Sequence, residues 1–171
     1  MDFITLAAAR YSLRKFDARP VEQEKLDLIL EAARLAPTAV NLQPQHVLVL
    51  RSPEALEKAD ACTVHHFHPP MMLIVSYDPA KAWVREWDQK NHGEIDAAIV
   101  ATHMMLEAAE LGLGTTYIGM FDEAKLVESF PEQLQGLVPV AMLPLGYAAE
   151  GARPARLHAA SRDISEMVQY L

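Results

Sequence analysis

Cysteine is almost absent from this chain: its 171 residues include only Cys62, so the chain cannot form an intrachain disulfide. We expect Cys62 to be a buried, unreactive thiol, because no partner motif of a catalytic cysteine accompanies it. The N-terminus lacks a basic segment followed by an apolar run, so no secretory leader is predicted. Together these features predict a cytoplasmic protein. A chain that is 51% hydrophobic at this length predicts a single domain over residues 1–171.

Long hydrophobic runs are absent as well. The most apolar stretch, residues 95–111, is interrupted by charged side chains and falls short of the ~20 apolar residues that span a bilayer. We therefore expect no membrane partner. A helix that is apolar on most faces must be covered on most faces, either inside the domain or by a second subunit. Gly112, directly after this stretch, is a typical helix stop.

The sequence also lacks a recognisable set of catalytic or metal-binding side chains. His65, His66 and His68 could bind zinc, but no second cluster of Cys, Asp or Glu follows at a ligand spacing. The glycines within residues 112–119 do not match the dinucleotide-binding fingerprint, because the third comes two positions late and the run follows a helix. No nucleophile elbow surrounds a serine. We therefore expect neither a metal site nor a catalytic side chain, and chemistry carried by a bound cofactor.

What the chain does contain is a basic segment near its start, within a protein of formal net charge -8. In an extended backbone the side chains of Arg10, Ser12 and Arg14 project from one face. Two guanidinium groups beside a hydroxyl can receive a phosphate that carries roughly two negative charges. Such a local positive field on an acidic protein favours a small anion over a nucleic acid. A solvated basic stretch that leaves a helix is the alternative interpretation.

Hydrophobic periodicity predicts helices and short strands in alternation. Helices are predicted over residues 3–9, 22–35, 80–90 and 95–111. Strands are predicted over residues 46–50, 71–77, 115–118 and 138–143. The second helix is bounded by Pro20 and Pro37, and the third is suggested by Trp83 and Trp87 at i and i+4. This alternation predicts an α+β fold around one sheet.

Further motifs occur in a fixed order along the chain. Residues 36–45 read Ala-Pro-Thr-Ala-Val-Asn-Leu-Gln-Pro-Gln, and residues 112–114, after the long apolar helix, read Gly-Leu-Gly. Residues 118–122 read Ile-Gly-Met-Phe-Asp, and residues 143–147 read Leu-Pro-Leu-Gly-Tyr. Together with the Arg-x-Ser-x-Arg segment, these blocks resemble the FMN-dependent nitroreductase family over nearly the whole chain.

The resemblance implies a three-layer nitroreductase-like fold, in which a central mixed or antiparallel sheet lies between helices in an intertwined homodimer. Residues 148–171 would form a C-terminal arm that wraps the partner subunit. The resemblance also implies the residues that bind FMN: Arg10, Tyr11, Ser12, Arg14, Pro37, Thr38, Ala39, Asn41, Ile118, Gly119 and Arg162. Those within residues 37–41 would approach the flavin held mainly by the other subunit.

The resemblance further implies an FMN-dependent NAD(P)H oxidoreductase with NAD(P)H as the diffusible reductant. A hydride would pass through flavin N5 to a small electron-poor acceptor, such as a nitroaromatic or a quinone, by a ping-pong mechanism. Two alternatives stay open: a flavin-binding or regulatory protein without turnover, and another flavin chemistry, such as flavin destruction or reductive dehalogenation. The sequence does not decide the physiological acceptor, the choice between NADH and NADPH, which of Thr63 to His68 contacts the flavin, or whether Trp83 and Trp87 form a substrate lid.

Overall fold

The computed structural model describes residues 2–171, and within them four strands form one sheet. The strands are β1 (Gln45–Leu50), β2 (Met71–Tyr77), β3 (Gly114–Thr115) and β4 (Val138–Gly146), in the spatial order β1–β2–β4–β3. β1 pairs with β2, β2 with β4 and β3 with β4, and each of these pairings is antiparallel. The predicted central sheet is therefore confirmed, in its antiparallel form.

Helices cover both faces of this sheet. They are α1 (Phe3–Ala9), α2 (Gln23–Leu35), α3 (Pro53–Asp60), α4 (Gly93–Glu110), α5 (Glu123–Ser129) and α6 (Pro131–Leu134), with 3-10 turns at Ala39–Asn41 and Ile164–Glu166. One core layer joins α2 and α4 to the sheet through side chains such as Ile29 and Leu143. A second layer joins α3, α5 and α6 to the other face through side chains such as Leu126 and Met142. The expected three-layer α+β fold is confirmed.

β2 is buried on both of its faces. Its side chains alternate between the layers: Leu73 and Val75 enter the layer of α2 and α4, whereas Met72 and Ile74 enter the other. A strand covered on both faces needs a continuous apolar sequence rather than an alternating one, and residues 71–75 provide it. One apolar run therefore holds both layers to the sheet, because successive side chains of a strand point to opposite sides.

α4 is the long apolar helix that the sequence predicts. Its first residue is Gly93, where a Cβ atom would lie 2.0 Å from Cδ2 of Tyr77, so the close packing of helix on strand requires glycine. The helix ends before Gly112, whose left-handed φ of 75° carries no steric cost for glycine. No helix within residues 2–171 is long and apolar enough to cross a membrane.

The helix predicted over residues 80–90 is wrong, because the segment forms turns between β2 and α4. Oδ1 of Asp78 accepts a hydrogen bond from the backbone N–H of Ala80 at 2.9 Å, a local turn that competes with a helix. Further along, the backbone N–H of Arg85 donates to the carbonyl of Lys90 at 3.0 Å. That bond folds the segment back toward its own start.

The two tryptophans of this segment have different surroundings. The ring of Trp83 packs edge-on against His92, with 4.8 Å between the ring centroids. Trp87 is 82% exposed, and the guanidinium carbon of Arg85 lies 5.6 Å from its ring centroid. Their i, i+4 spacing therefore does not reflect a shared helix face, and a role for either ring as a substrate lid stays a prediction.

The strand predicted over residues 115–118 is interrupted. β3 ends at Thr115, and the chain rejoins β4 at Ile118, whose backbone N–H and carbonyl both bond to Met142 at 3.0 Å. α3 has no counterpart among the predicted elements. In the sequence, the start of α3 is marked by Ser52, a typical helix N-cap residue. Its hydroxyl accepts a hydrogen bond from the N–H of Ala55 at 3.2 Å and so caps the first turn.

Candidate functional site

The basic segment after α1 is extended, as predicted. Arg10 ends the helix with φ -62° and ψ 128°. Ser12 then forms a parallel bridge with Thr115, and the backbone N–H of Leu13 donates to the carbonyl of Thr115 at 2.9 Å. Leu13, between Ser12 and Arg14, is buried. Because alternate side chains of an extended chain share a face, we expect Ser12 and Arg14 to project away from the side chain of Leu13, with Arg10 at the start of the same segment.

The three predicted phosphate ligands differ in their contacts. Arg14 is exposed, and its Nη1 donates to the carbonyl oxygen of Ser12 at 3.1 Å. Arg10 is partly buried, and its Nη1 is shielded from solvent with no hydrogen-bond partner among residues 2–171. A buried guanidinium N–H without an acceptor is costly, so this atom requires an acceptor that the described chain does not provide. A phosphate oxygen fits that requirement.

The neighbouring basic side chains make other contacts. Nζ of Lys15 donates to the carbonyl of Glu150 at 2.8 Å. Arg19 forms an ion pair with Glu22 at 2.5 Å, and its guanidinium carbon lies 4.0 Å from the ring centroid of Tyr147. Both side chains are therefore engaged near the segment that follows β4.

Thr115 is a candidate ligand that the sequence did not reveal. Its hydroxyl is buried and, within the described part of the chain, has no hydrogen-bond partner. Directly paired residues of adjacent strands point to the same side, so Thr115 shares a face with Ser12. Arg10 and Thr115 also line one cavity, with Ala109 and Gly112 at the end of α4. No local pattern marks this threonine, because the pairing joins segments that are distant in sequence.

Ile118 and Gly119 stand where the chain leaves its pairing with β4. Ile118 is buried against Met142, whereas Gly119 and the following Met120 are exposed. The backbone is therefore held by β4 at Ile118 and accessible to solvent from Gly119 onward. Such an edge lets backbone N–H and carbonyl groups approach a flat ligand.

A second segment runs beside this strand end. The hydroxyl of Thr63 donates to the carbonyl of Met120 at 2.7 Å, and Thr63 forms an antiparallel bridge with Phe121. Residues 62–64 and 119–122 together line a shallow cavity. The structure thus brings the start of the segment from Thr63 to His68 to the predicted ring site, and the residue that contacts a ligand stays a prediction. Cys62 is buried here, as expected.

The histidines of that segment have separate partners. Nδ1 of His66 lies 2.7 Å from Oδ2 of Asp60. The ring of His65 stacks on that of Phe67, with 5.7 Å between centroids. Within residues 2–171 there is no group of three His, Cys, Asp or Glu side chains that could hold a metal ion.

Acidic side chains flank the exposed face of Gly119. Glu94, Gly119, Phe121 and Glu123 line a hollow with residues 138–140. Burial raises the pKa of Tyr117 above its usual value, and the negative charge of Glu94 raises it further. A cavity of this kind presents negative charge beside the predicted ring edge, in contrast to the basic face at the other end of residues 115–119.

The predicted flavin-contacting loop follows α2 and folds into the 3-10 turn. Pro37, Thr38, Ala39 and Asn41 lie in it, and Asn41 has a left-handed φ of 56°. The backbone N–H of Ala39 donates to Oδ1 of Asp96 at 2.9 Å, which fixes the loop to the first turn of α4. The cavity of Arg10 lies at the last turn of the same helix, about 20 Å farther along its axis. One chain therefore does not bring the loop to the phosphate motif.

Arg162 lies in a tail that is exposed in the single chain throughout residues 153–171. The tail does touch the phosphate motif: the ring of His158 packs edge-on against Tyr11, with 6.1 Å between centroids. This contact brings the start of the tail to Tyr11, whereas Arg162, four residues after His158, is exposed.

The fold, the basic segment at Arg10 and the open strand end at Gly119 agree with what comparison with known proteins finds. A family model described as the nitroreductase family matches residues 7–66 and 65–147. A protein of Methanothermobacter thermautotrophicus, provisionally named as an NADH dehydrogenase/NAD(P)H nitroreductase, is 33% identical over 92% of this chain and 86% of its own length. The chain belongs to the nitroreductase family, which is a family of oxidoreductases.

Solved structures of similar proteins support the same assignment. A nitroreductase family protein from Clostridium difficile 630 is 36% identical with a TM-score of 0.92, covering 99% of this chain and 98% of that one. An FMN-dependent nitroreductase from Clostridium difficile R20291 is 25% identical with a TM-score of 0.81, covering 98% of each chain. The family that the sequence motifs resemble is therefore confirmed.

Proposed function

We propose that this chain is an FMN-dependent NAD(P)H oxidoreductase of the nitroreductase type. The observation that carries the proposal is the buried Nη1 of Arg10, which lacks an acceptor in the described chain and belongs to a side chain that lines one cavity with Thr115. A phosphate oxygen supplies that acceptor, and two guanidinium groups balance its charge. The family match and the FMN-dependent relative support the same cofactor.

The line of residues from the basic face to the strand end suits the shape of FMN, in which a five-carbon chain joins a phosphate to a flat ring. From Thr115, which pairs with Ser12, the four residues to Gly119 can span at most about 13 Å. The phosphate end is assigned to Arg10, Tyr11, Ser12, Arg14 and Thr115. The ring edge is assigned to the backbone of Ile118 and Gly119, where the strand end is open.

The working unit in this proposal is a homodimer, in which residues 37–41 contact the flavin of the partner subunit. Within one chain this loop is fixed at the opposite end of α4 from the cavity of Arg10. Large apolar side chains are also exposed to solvent in the single chain, among them Ile4 at 74% and Val40 at 73% exposure. A second copy of the chain covers such surfaces and completes the site.

The tail supports the same assembly. It is exposed in the single chain and carries apolar side chains such as Ile164 and Met167 at 72% and 62% exposure. An arm of this composition needs a surface to dock on. In the proposed dimer, residues 148–171 wrap the partner subunit and Arg162 reaches a flavin phosphate.

When bound, FMN supplies the transfer of a hydride from NAD(P)H through N5 to a small electron-poor acceptor, such as a nitroaromatic or a quinone. The chain itself holds the phosphate through Arg10 and Arg14, orients the ring at Ile118 and Gly119, and shields it with the loop of the other subunit. Because the sequence contains no dinucleotide-binding fingerprint, donor and acceptor use one pocket in turn. Alternate use of one pocket is a ping-pong mechanism.

The absorption spectrum of the purified protein, before and after denaturation, tests the cofactor, and chromatography identifies the released flavin. Protein reconstituted with FMN should lose its flavin absorption under NADH or NADPH without oxygen, and should recover it with a nitroaromatic or a quinone. Protein that never takes up FMN would overturn the proposal. Protein that holds FMN but is bleached by neither nicotinamide would instead be a flavin-binding or regulatory protein, or an enzyme of another flavin chemistry.

A further inference from the structure

We propose that Asp96, in the first turn of α4, is a positioning residue for the flavin bound by the partner subunit. It acts through the backbone N–H of Ala39 and so holds the loop of residues 37–41 in place. This inference rests on the proposed function, because it requires both a bound flavin and a homodimer.

Asp96 is a carboxylate inside the protein, with 2% of its surface exposed. Its Oδ1 accepts the hydrogen bond from Ala39, and its Oδ2 has no partner among the described residues. Burying a carboxylate with so few hydrogen bonds is unfavourable, although the first turn of a helix favours negative charge there. Within residues 2–171, the bond to Ala39 is the one hydrogen bond of this side chain. The buried carboxylate of Asp96 therefore makes a single side-chain contact of this kind in the described chain, and that contact holds the loop of residues 37–41.

The loop that Asp96 holds has an unusual backbone. Val40, Asn41 and Gln43 have φ of 53°, 56° and 49°, in the left-handed region that residues other than glycine seldom adopt. Such a backbone persists only where its surroundings hold it. The N–H of Gln43 donates to the hydroxyl of Thr38 at 3.0 Å, which braces the loop internally. The bond to Asp96 is what attaches the braced loop to a helix of the core.

The loop presents apolar side chains to the outside. Val40 and Leu42 are 73% and 47% exposed, and Asn41 is exposed between them. Apolar side chains on a braced loop suit contact with a flat, largely apolar ring held by a second copy. The same turn of α4 carries Glu94, which lines the hollow beside Gly119 of its own chain.

Two substitutions of Asp96 separate positioning from folding. Asp96→Ala removes the acceptor, so FMN and riboflavin should both bind about tenfold more weakly, because the ring end loses its support. Asp96→Asn keeps an oxygen acceptor and should bind both flavins within about twofold of the wild type. Arg10→Ala is the contrasting variant, since the loss of a phosphate ligand should weaken FMN binding far more than riboflavin binding. Titration followed by flavin fluorescence measures these constants.

Mixed dimers test whether Asp96 acts across the subunit boundary. A heterodimer of one Asp96→Ala subunit and one Arg10→Ala subunit can be purified through two different tags. If Asp96 acts on the partner's flavin, one site has both intact residues and the other has neither. We therefore expect one FMN bound at wild-type affinity per heterodimer. If Asp96 acted on the flavin of its own subunit, both sites would be impaired once and none would be intact, which would overturn the inference.

Ser52→Ala serves as a control for general loss of stability. It removes the cap of α3, which lies on the other face of the sheet, and should lower the melting temperature without changing either flavin constant. If Asp96→Ala behaves like this control, Asp96 is a purely structural residue and the inference fails. A wild type that binds no flavin, or an Arg10→Ala variant with unchanged FMN binding, would contradict the proposed function instead.

Ala39→Pro tests the same bond from the loop, whether or not Asp96→Ala folds. Proline lacks the N–H that Asp96 accepts, and the preceding Thr38 has φ -130° and ψ 160°, which proline tolerates in the residue before it. This variant should weaken FMN and riboflavin binding to a similar extent, about tenfold. Wild-type affinity for both flavins in Ala39→Pro would show that the bond does not position the ring.

Discussion

The hydroxyl of Tyr147 donates a hydrogen bond of 2.7 Å to Oε2 of Glu22, which joins the end of β4 to the start of α2. The same carboxylate pairs with Arg19 through Oε1 at 2.5 Å. The carbonyl of Tyr147 accepts a hydrogen bond from the N–H of Asp17 at 2.9 Å. These contacts fix the far end of the basic segment that begins at Arg10, and so help to set the geometry of the proposed phosphate site.

The stability of the protein should depend on pH through the hydrogen-bonded pair of Tyr147 and Glu22. The hydrogen bond from Tyr147, with smaller contributions from the backbone at Glu22 and from Arg19, lowers the pKa of Glu22 from 4.5 to about 2. A carboxyl group whose pKa is lower in the folded state gives stability that is present above its unfolded pKa and lost as the pH falls toward the folded value. Between about pH 4.5 and pH 2, the melting temperature of the wild type should therefore fall more steeply than that of Glu22→Gln.

The matched variant for this prediction is Tyr147→Phe, which keeps the ring beneath Arg19 and removes the hydroxyl. Its pH profile should lie between those of the wild type and Glu22→Gln, by a modest margin because the side chain of Glu22 is partly exposed and solvent screens its interactions. Thermal unfolding followed by circular dichroism measures all three profiles. Parallel profiles for the three proteins would show that the pair does not control stability in this range.

The phosphate anchor should depend on specific cations and not on positive charge alone. Arg10→Ala or Arg14→Ala should weaken FMN binding by a few kcal/mol, about the cost of losing one member of a desolvated charged pair. Ser12→Ala should cost about 1 kcal/mol, as for an ordinary hydrogen bond. Lys15→Ala should have little effect, because Nζ of Lys15 is bound to the carbonyl of Glu150. Loss of flavin in Lys15→Ala with retention in Arg14→Ala would contradict the extended-face argument.

The assembly prediction concerns the surfaces that one chain leaves open. We expect a homodimer that buries more than the ~2,000 Å² at which obligate interfaces begin, because α4 and the tail both present uncovered apolar side chains. Ile95 of α4 and Ile164 of the tail are 41% and 72% exposed. Light scattering at micromolar concentration checks this expectation. A folded, flavin-loaded monomer under those conditions would be incompatible with it.

The reaction prediction follows from the proposal that NAD(P)H and the acceptor use one pocket in turn. Initial rates measured over a grid of NAD(P)H and acceptor concentrations should give parallel double-reciprocal lines, and each substrate should inhibit competitively against the other at high concentration. Intersecting lines would indicate a ternary complex and a second binding site. The choice of NADH or NADPH does not alter this test.

Much of the architecture was predictable because its signals are local. Leu26, Ile29, Leu30 and Ala33 repeat at helical spacing in α2, and the apolar run of β2 marks a strand buried on both faces. The same kind of reasoning failed for Trp83 and Trp87, since turn-forming contacts of Asp78 override a two-residue spacing. Local periodicity predicts an element reliably when several positions agree, and poorly when two do.

The candidate site was predictable in part. The face of Arg10, Ser12 and Arg14 follows from alternation within one extended segment. Thr115 and Asp96 were not predicted, because the role proposed for each depends on a partner far away in the sequence: Ser12 in one case and Ala39 in the other. A residue defined by tertiary pairing leaves no pattern in its own neighbourhood.

Adjacent threonines provide the most discriminating test of the phosphate site. The hydroxyl of Thr115 has no partner among residues 2–171, whereas that of Thr116 donates to the carbonyl of Leu13. Thr115→Val should therefore leave the melting temperature of the flavin-free protein nearly unchanged, yet weaken FMN binding by about 1.5–3 kcal/mol, as for a hydrogen bond to a charged group. Riboflavin, which has no phosphate, should bind Thr115→Val as it binds the wild type.

Thr116→Val should show the opposite pattern. It leaves the carbonyl of Leu13 without its side-chain partner, so it should lower the stability of the flavin-free protein by about 1–3 kcal/mol and affect FMN and riboflavin alike. Thermal unfolding without flavin and titration with each flavin measure both effects in both variants. If Thr115→Val weakened riboflavin as much as FMN, its hydroxyl would not be a phosphate ligand. Arg10 would then share its cavity with a threonine that contacts another part of the cofactor, and the phosphate would depend on the other proposed ligands without Thr115.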